Sequence, residues 1–335
     1  MKFANKRFCL SVLLLLAASP VHAAEKESFK AWTDPDTARR EDPDFSIQGE
    51  YGSASVGATT GVQVVALGNG QFEAYFLKDG LPGLGWTREK SRSVLKGTRV
   101  GGKVDFTAEN QKFSATIQDN QLQITGEDGT KSILPRIERS SITLGAKPPK
   151  DALVLFDGSS TEQWENGKMK DGYLLSTGCT SKQRFSDYKL HLEFRTPYMP
   201  NARGQGRGNS GVYHSGRWET QVLDSFGLDG KDNECGGIYS ISKPLLNMGL
   251  PPLSWQTYDV DFVAAKFDAN GARIAWPHIT VRLNGVLVHE NLELNKDFTT
   301  SAPITDPLVA PEGPVHLQNH GNPVVYRNIW IQSNK

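Results

Sequence analysis

From about residue 45 onward, apolar and polar positions alternate with a period of two. That is the spacing of strands that bury one face and hydrate the other. The run at 62–67 (VQVVAL), the turn Gly68-Asn69-Gly70 and the run at 71–76 (QFEAYF) predict a β-hairpin with a Gly-containing loop. Short alternating runs follow at 104–107, 113–117 and 122–125, with turns at Asp119-Asn120 and Asp128-Gly129. This spacing predicts a small antiparallel β domain over residues 45–145, interrupted by a Gly-rich loop at 80–86 whose Trp86 could stack on a sugar or pack against the other domain, with packing the favoured use. Gly145 to Pro149 (GAKPP) reads as a linker, stiffened by Pro148-Pro149. Alternation resumes at 153–156, 189–194, 257–262, 279–283 and 324–331, and Asn284-Gly285 turns the chain into a further strand at 286–289. No stretch beyond the N-terminus has helical periodicity. The fold class is therefore all-β. A two-sheet antiparallel sandwich of the jelly-roll kind is expected over 150–335, preceded by the small β domain.

The N-terminus departs from this pattern. Lys2, Lys6 and Arg7 precede an apolar run at 8–18, and small residues follow near Ala23. These are the parts of a secretory signal peptide over 1–23, and the run is too short for a confident membrane span. Residues 24–44 form a charged, Pro-containing leader. The expected location is the periplasm or outside the cell, with no membrane span left after cleavage. The chain carries 37 basic and 37 acidic residues, and removing 1–23 leaves 34 against 37. That balance gives no basic footprint for nucleic acid. Cys179 and Cys235 remain, in a compartment where they could pair. The sequence leaves the oligomeric state open.

The densest chemistry lies in residues 208–225 (GNSGVYHSGRWETQVLDS). Glu219 and Gln221 share one face of a strand, and a single bulge would bring Asp224 beside them. Such a row suits acid–base work on a sugar, with Glu219 as base or acid and Asp224 as its partner. His214 and His320 are further proton-transfer candidates, because imidazole titrates near neutrality. Arg207, Asn209, Ser210 and Gln318 are candidate hydrogen-bonding groups for substrate hydroxyls, and Tyr239 and Trp255 offer aromatic surfaces. No cofactor is required. A divalent metal held by His214, Glu219 and His320 is conceivable, although no metal motif is present. Gly206-x-Gly208-x-x-Gly211 matches a dinucleotide fingerprint, but it leads into a strand instead of a helix, so nucleotide binding is rejected.

Several motifs occur in order: LFDG at 155–158, GNSGVY at 208–213, ETQVLD at 219–224, GIY at 237–239, GPVHLQNHG at 313–321 and VYRNIW at 325–330. In these the chain resembles the 3-keto-disaccharide hydrolase family, also described as 3-keto-glucoside 1,2-lyase/3-keto-2-hydroxy-glucal hydratase domains. The resemblance spans about 152–332. It implies a concanavalin-like jelly roll acting on an oligosaccharide or glycoside oxidised at C3. It also implies glycosidic cleavage by elimination and hydration, or by net hydrolysis. The row at 219–224 is similar to the acidic motif of retaining glucanases, with Gln221 where those enzymes carry Asp. Two other readings use the same residues: a non-catalytic carbohydrate-binding module, and a retaining β-glucanase-like glycosidase with two carboxyls about 5–5.5 Å apart.

Overall fold

The computed structural model describes residue 1, residues 29–107 and residues 112–333. Residue 1 aside, the expected signal peptide lies outside the described residues. The first helices or strands among the described residues are two short helices, α1 (Pro35–Glu41) and α2 (Pro43–Ile47). Eight antiparallel strands then close into a barrel: β1 (Gly49–Tyr51), β2 (Thr60–Gly68), β3 (Gln71–Lys78), β4 (Arg92–Val100), β5 (Lys103–Thr107), β6 (Phe113–Gln118), β7 (Gln121–Gly126) and β8 (Lys131–Ile137). The alternation explains the barrel. Val62, Val64, Phe72, Ala74, Leu95, Val104, Phe106, Ile117 and Leu122 all point inward and are almost wholly buried. Closure of β1 onto β8 leaves no free edge.

The second half contains β9 (Leu153–Phe156), β10 (Trp164–Glu165), β11 (Met169–Lys170), β12 (Tyr173–Leu175), β13 (Cys179–Ser181), β14 (Tyr188–Arg195), β15 (Ser210–His214), β16 (Trp218–Val222), β17 (Gln256–Val263), β18 (Lys266–Phe267), β19 (Arg273–Ala275), β20 (His278–Leu283), β21 (Val286–Glu293), β22 (His316–Leu317) and β23 (Val325–Ser333). A larger sheet runs β11-β12-β23-β14-β17-β20-β21, with β9 on β23, and a smaller one runs β10-β13-β22-β15-β16. Leu190, Leu192, Phe194, Val260, Phe262 and Val281 from the larger sheet meet Val212, Trp218, Val222 and Leu317 from the smaller, forming one core. The all-β sandwich expected from the alternation is present.

Three features differ from the sequence reading. The helices α1 and α2 were not expected. They are short, but each begins on an Asp N-cap followed by Pro: Asp34 Oδ1 accepts from Thr37 N at 2.8 Å, and Asp42 Oδ1 accepts from Asp44 N at 3.0 Å. The segment around Gly145 is not a free spacer. Gly145 N donates to Glu193 Oε1, and Ala146 O accepts from Asn328 Nδ2 and Trp330 Nε1, so the linker is fastened to the outer face of the larger sheet. Cys179 and Cys235 are both free and buried. Burial pushes their thiols up to about 12 and about 11, which makes them unreactive core residues.

Candidate active site

The β15–β16 hairpin turns at Ser215 and Gly216, both at positive φ, and pairs without a register shift from Ser210↔Val222 to His214↔Trp218. With that parity, Gly211, Tyr213, Glu219 and Gln221 share the outer face of the smaller sheet. Loops carrying Gln205, Asn209, Tyr239, Thr300, Ser301, Gln318 and His320 surround this face. They leave a narrow cleft of about 230 Å³, including its open mouth.

Glu219 is the only carboxylate lining the cleft among the described residues, and it is almost wholly buried. Burial raises its pKa to about 8, against a weaker opposing pull from the Tyr213 hydrogen bond. The Tyr213 hydroxyl is shared among three groups. It lies 2.8 Å from Thr300 O, 2.9 Å from Glu219 Oε2 and 3.1 Å from Gln318 Nε2. Gln318 Nε2 can only donate, Thr300 O can only accept, and the phenol has one proton. With that proton directed to Glu219 Oε2, a neutral carboxyl is left with its own proton on Oε1, not committed to Tyr213. Gly211 leaves room for the carboxyl, because a Cβ there would sit 2.8 Å from Glu219 Cδ.

The cleft amides are oriented by their donors. Gln221 Nε2 donates to Gln205 Oε1 at 3.0 Å and Asn233 O at 3.3 Å, and Asn209 Nδ2 donates to Gln205 O at 2.8 Å and Gln205 Oε1 at 3.0 Å. Their carbonyl oxygens are thereby turned away from the frame. Among the described residues, Asn209 Oδ1, Gln221 Oε1 and Gln318 Oε1 are buried and have no protein partner. Buried acceptors in folded proteins are usually satisfied by protein, ordered water or a bound group, so these three oxygens are candidate acceptors for an occupant of the cleft.

Of the residues singled out from the sequence, the structure brings together Glu219, Gln221, Asn209, Tyr239, Gln318 and His320. It separates the others. The expected bulge is absent, and Asp224 falls beyond the end of β16 on the opposite parity. There it forms a buried ion pair with Arg207 Nε at 2.7 Å. Arg207 also donates to Ala66 O at 3.2 Å, so neither group reaches the cleft. His214 shares the inward face with Val212. Its ring nitrogens contact Tyr188 Oη and Thr220 Oγ1, both at 2.9 Å, and burial depresses its pKa to about 3. A metal site formed by His214, Glu219 and His320 is thus excluded by strand parity. Among the described residues, no group of three or more His, Cys, Asp or Glu is placed to hold a metal. Ser210 Oγ donates to Gln318 O and accepts from Tyr326 Oη, both at 2.7 Å, inside the sandwich. Trp255 stacks with Arg327 at 3.9 Å and Tyr173 at 5.1 Å, away from the cleft.

The sequence reading missed Gln205, Gly211, Tyr213 and Thr300. Pairing 210–214 with 218–222 around Ser215-Gly216 places Gly211 and Tyr213 opposite Gln221 and Glu219, so those two were recoverable. Gln205 and Thr300 arrive on irregular loops that carry no such signal. A larger cavity of about 1080 Å³, including its mouth, lies between the helices, the barrel and residues 251–255. Its Glu50 is paired with Arg139 and its Glu138 with Arg136, so it offers no unpaired acid.

The Arg207–Asp224 pair has a structural role with a measurable consequence. Asp224→Ala leaves a buried guanidinium without its counter-ion and is expected to cost about 3–5 kcal/mol. A urea midpoint shift equivalent to less than about 1 kcal/mol would remove this assignment.

The profile of the 3-keto-alpha-glucoside-1,2-lyase-like domain matches residues 151–332, more than half of the chain and all of the cleft. The chain belongs to this family. The match to the 3-keto-alpha-glucoside-1,2-lyase-like family begins after the barrel, which it leaves unassigned. Three solved Parabacteroides distasonis ATCC 8503 proteins, each described as a candidate glycosyl hydrolase, are similar to part of the chain. One is 34% identical over 56% of this chain and 85% of its own, with a TM-score of 0.49. The second is 16% identical over 56% and 95%, and the third 21% over 55% and 99%, both with a TM-score of 0.41. No curated protein matches the chain.

Proposed function

We propose that this protein cleaves the glycosidic bond of a 3-keto-glucoside, with neutral Glu219 donating a hydrogen bond to the C3 ketone. The observation that carries this reading is one carboxylic acid among three unpartnered amide acceptors. A hexose ring oxidised at C3 has the complementary set. Its hydroxyls at C2, C4 and C6 are donors for Asn209, Gln221 and Gln318, and its ketone oxygen, which can only accept, is the partner for Glu219.

The ketone acidifies the C2 hydrogen. In the proposed step a base, His320, takes that proton, and the electrons pass toward the C3 oxygen, where Glu219 stabilises the developing enolate. Collapse of the enolate forms the C1=C2 bond and breaks the C1–O bond. The departing alcohol takes a proton from water at the mouth of the cleft; the hydroxide left behind adds to C1 while His320 returns its proton to C2, which completes net hydrolysis and restores the base. A retaining hydrolase would need a second carboxyl across the scissile bond, and Asp224 is committed to Arg207 instead. A pure binding module would bind such glucosides and cleave none of them. The basic and apolar order of residues 2–18 supports export, and secretion into the periplasm or beyond is part of the proposal.

The test uses two glucosides with the same aglycone, one oxidised at C3 and one not. The oxidised compound should release its aglycone. The unoxidised one should compete for binding, because a hydroxyl also accepts from Glu219, but it should not be cleaved. Equal cleavage of both would sink the keto-sugar reading.

A further inference from the structure

We propose that the N-terminal barrel braces the catalytic cleft, and that Arg88 is its principal positioning residue. The family match leaves the barrel without a role, whereas its contacts converge on the two loops that frame Gln221. The first loop, residues 201–209, carries Gln205 and Asn209. On it, Arg203 Nη2 donates to Leu67 O at 2.7 Å and Arg207 Nη1 donates to Ala66 O at 3.2 Å, so both grip the end of β2. Gly68 continues that contact: it has φ +82°, and a Cβ there would overlap the Asn201 side chain. The second loop, residues 226–239, carries Asn233 and Tyr239. Phe226 packs on Val65 and Tyr75 of the barrel, and Gly227 lies so close that a Cβ would meet the Val65 side chain at 2.6 Å.

Arg88 supplies the strongest connection. Its guanidinium donates to four backbone carbonyls of the sandwich: Asp229 at 2.6 Å, Gly230 at 2.7 Å, Pro244 at 2.8 Å and Leu245 at 2.9 Å. A short path leads from there to the cleft. The amides of Gly230 and Lys231 both donate to Glu234 Oε2, which closes the loop around Asn233. Asn233 O then accepts from both Gln205 Nε2 at 2.7 Å and Gln221 Nε2 at 3.3 Å. Gln205 and Asn233, which together orient the Gln221 and Asn209 amides, therefore sit on loops that are each pinned to the same barrel hairpin or its neighbouring loop. The barrel sets the separation of those loops and with it the aim of the acceptors.

The test compares full-length Arg88→Ala and Arg88→Lys with the unchanged protein by amide hydrogen exchange and by kinetics on a 3-keto-glucoside. Only the kinetic arm rests on the function proposed above. Arg88→Ala should speed exchange across 233–239 and at Gln221, beyond the carbonyl-bearing residues themselves. It should also lower kcat/KM by at least about tenfold, since a misplacement near 1 Å can cost 10²-fold. Arg88→Lys, which presents one ammonium to several carbonyls, should fall between the two. If Arg88→Ala does not fold, Arg203→Ala removes one link from the other loop and carries the same test. Exchange confined to 229–230 and 244–245, with kcat/KM unchanged, would overturn the brace. Faster exchange at 233–239 in a protein that cleaves no 3-keto-glucoside would uphold the brace and refute the substrate reading.

Discussion

Glu219→Ala should lower kcat for a 3-keto-glucoside by about 10²- to 10³-fold, the usual cost of removing one donor aimed at a developing oxyanion. Glu219→Gln keeps a neutral donor and should lose less. The two variants separate the hydrogen-bonding role from the charge. Because the working form of Glu219 is the protonated acid, activity of the unchanged protein should decline as pH rises through about 8. In Glu219→Gln that decline should vanish. Stability should follow the same group. Between pH 4.5 and about 8 the folded protein keeps a proton that the unfolded chain has released, so stability falls as pH rises through this window. The slope is at most roughly 1.4 kcal/mol per pH unit, and Glu219→Gln should flatten it. Thermal unfolding midpoints measured from pH 5 to 9 would check the sign. A parallel dependence in both proteins would mean that Glu219 is not the titrating group.

Gly211→Ala should cost about 10²-fold in kcat with little loss of stability. Gly211 lies within β15 in a backbone conformation that alanine adopts, so the strand itself is not strained. The new methyl would nevertheless occupy the space of the Glu219 carboxyl, 2.8 Å from its Cδ. The carboxyl is the mobile partner and must swing away from its place in the cleft. A displacement of about 1 Å at a catalytic group is enough for the expected loss. Shortening the acid should relieve the clash, so Gly211→Ala combined with Glu219→Asp should recover part of the activity that Gly211→Ala lost. Wild-type kinetics in Gly211→Ala, with the protein folded, would show that the position of Glu219 does not matter.

Strand alternation exposed the architecture because each strand buries one face, and both the barrel and the sandwich keep that period. The helices α1 and α2 escaped it because they are seven and five residues long, too short for a 3.6-residue period to show. Their Asp-Pro starts were the readable signal. In the site, parity placed Glu219 and Gln221 correctly. It also governed the two misplaced residues. His214 follows Val212 on the inner face, and Asp224 follows Val222, so bringing Asp224 outward required a bulge that the pairing does not contain. Arg207 and Asp224 looked like site groups because they are charged residues in a Gly-rich, acid-rich stretch, yet each neutralises the other in the interior. Gln205, Asn233 and Thr300 act through long-range loop contacts, which no local pattern encodes.

Direct titration of the Glu219 carboxyl, by carbon-detected NMR of glutamate-labelled protein with Glu219→Gln to assign the signal, tests the central claim most closely. A midpoint near 8 is predicted, with the neutral acid dominant at pH 7. A midpoint near 4.5 would mean that the cleft holds an ordinary carboxylate, and the match to a ring ketone would fail.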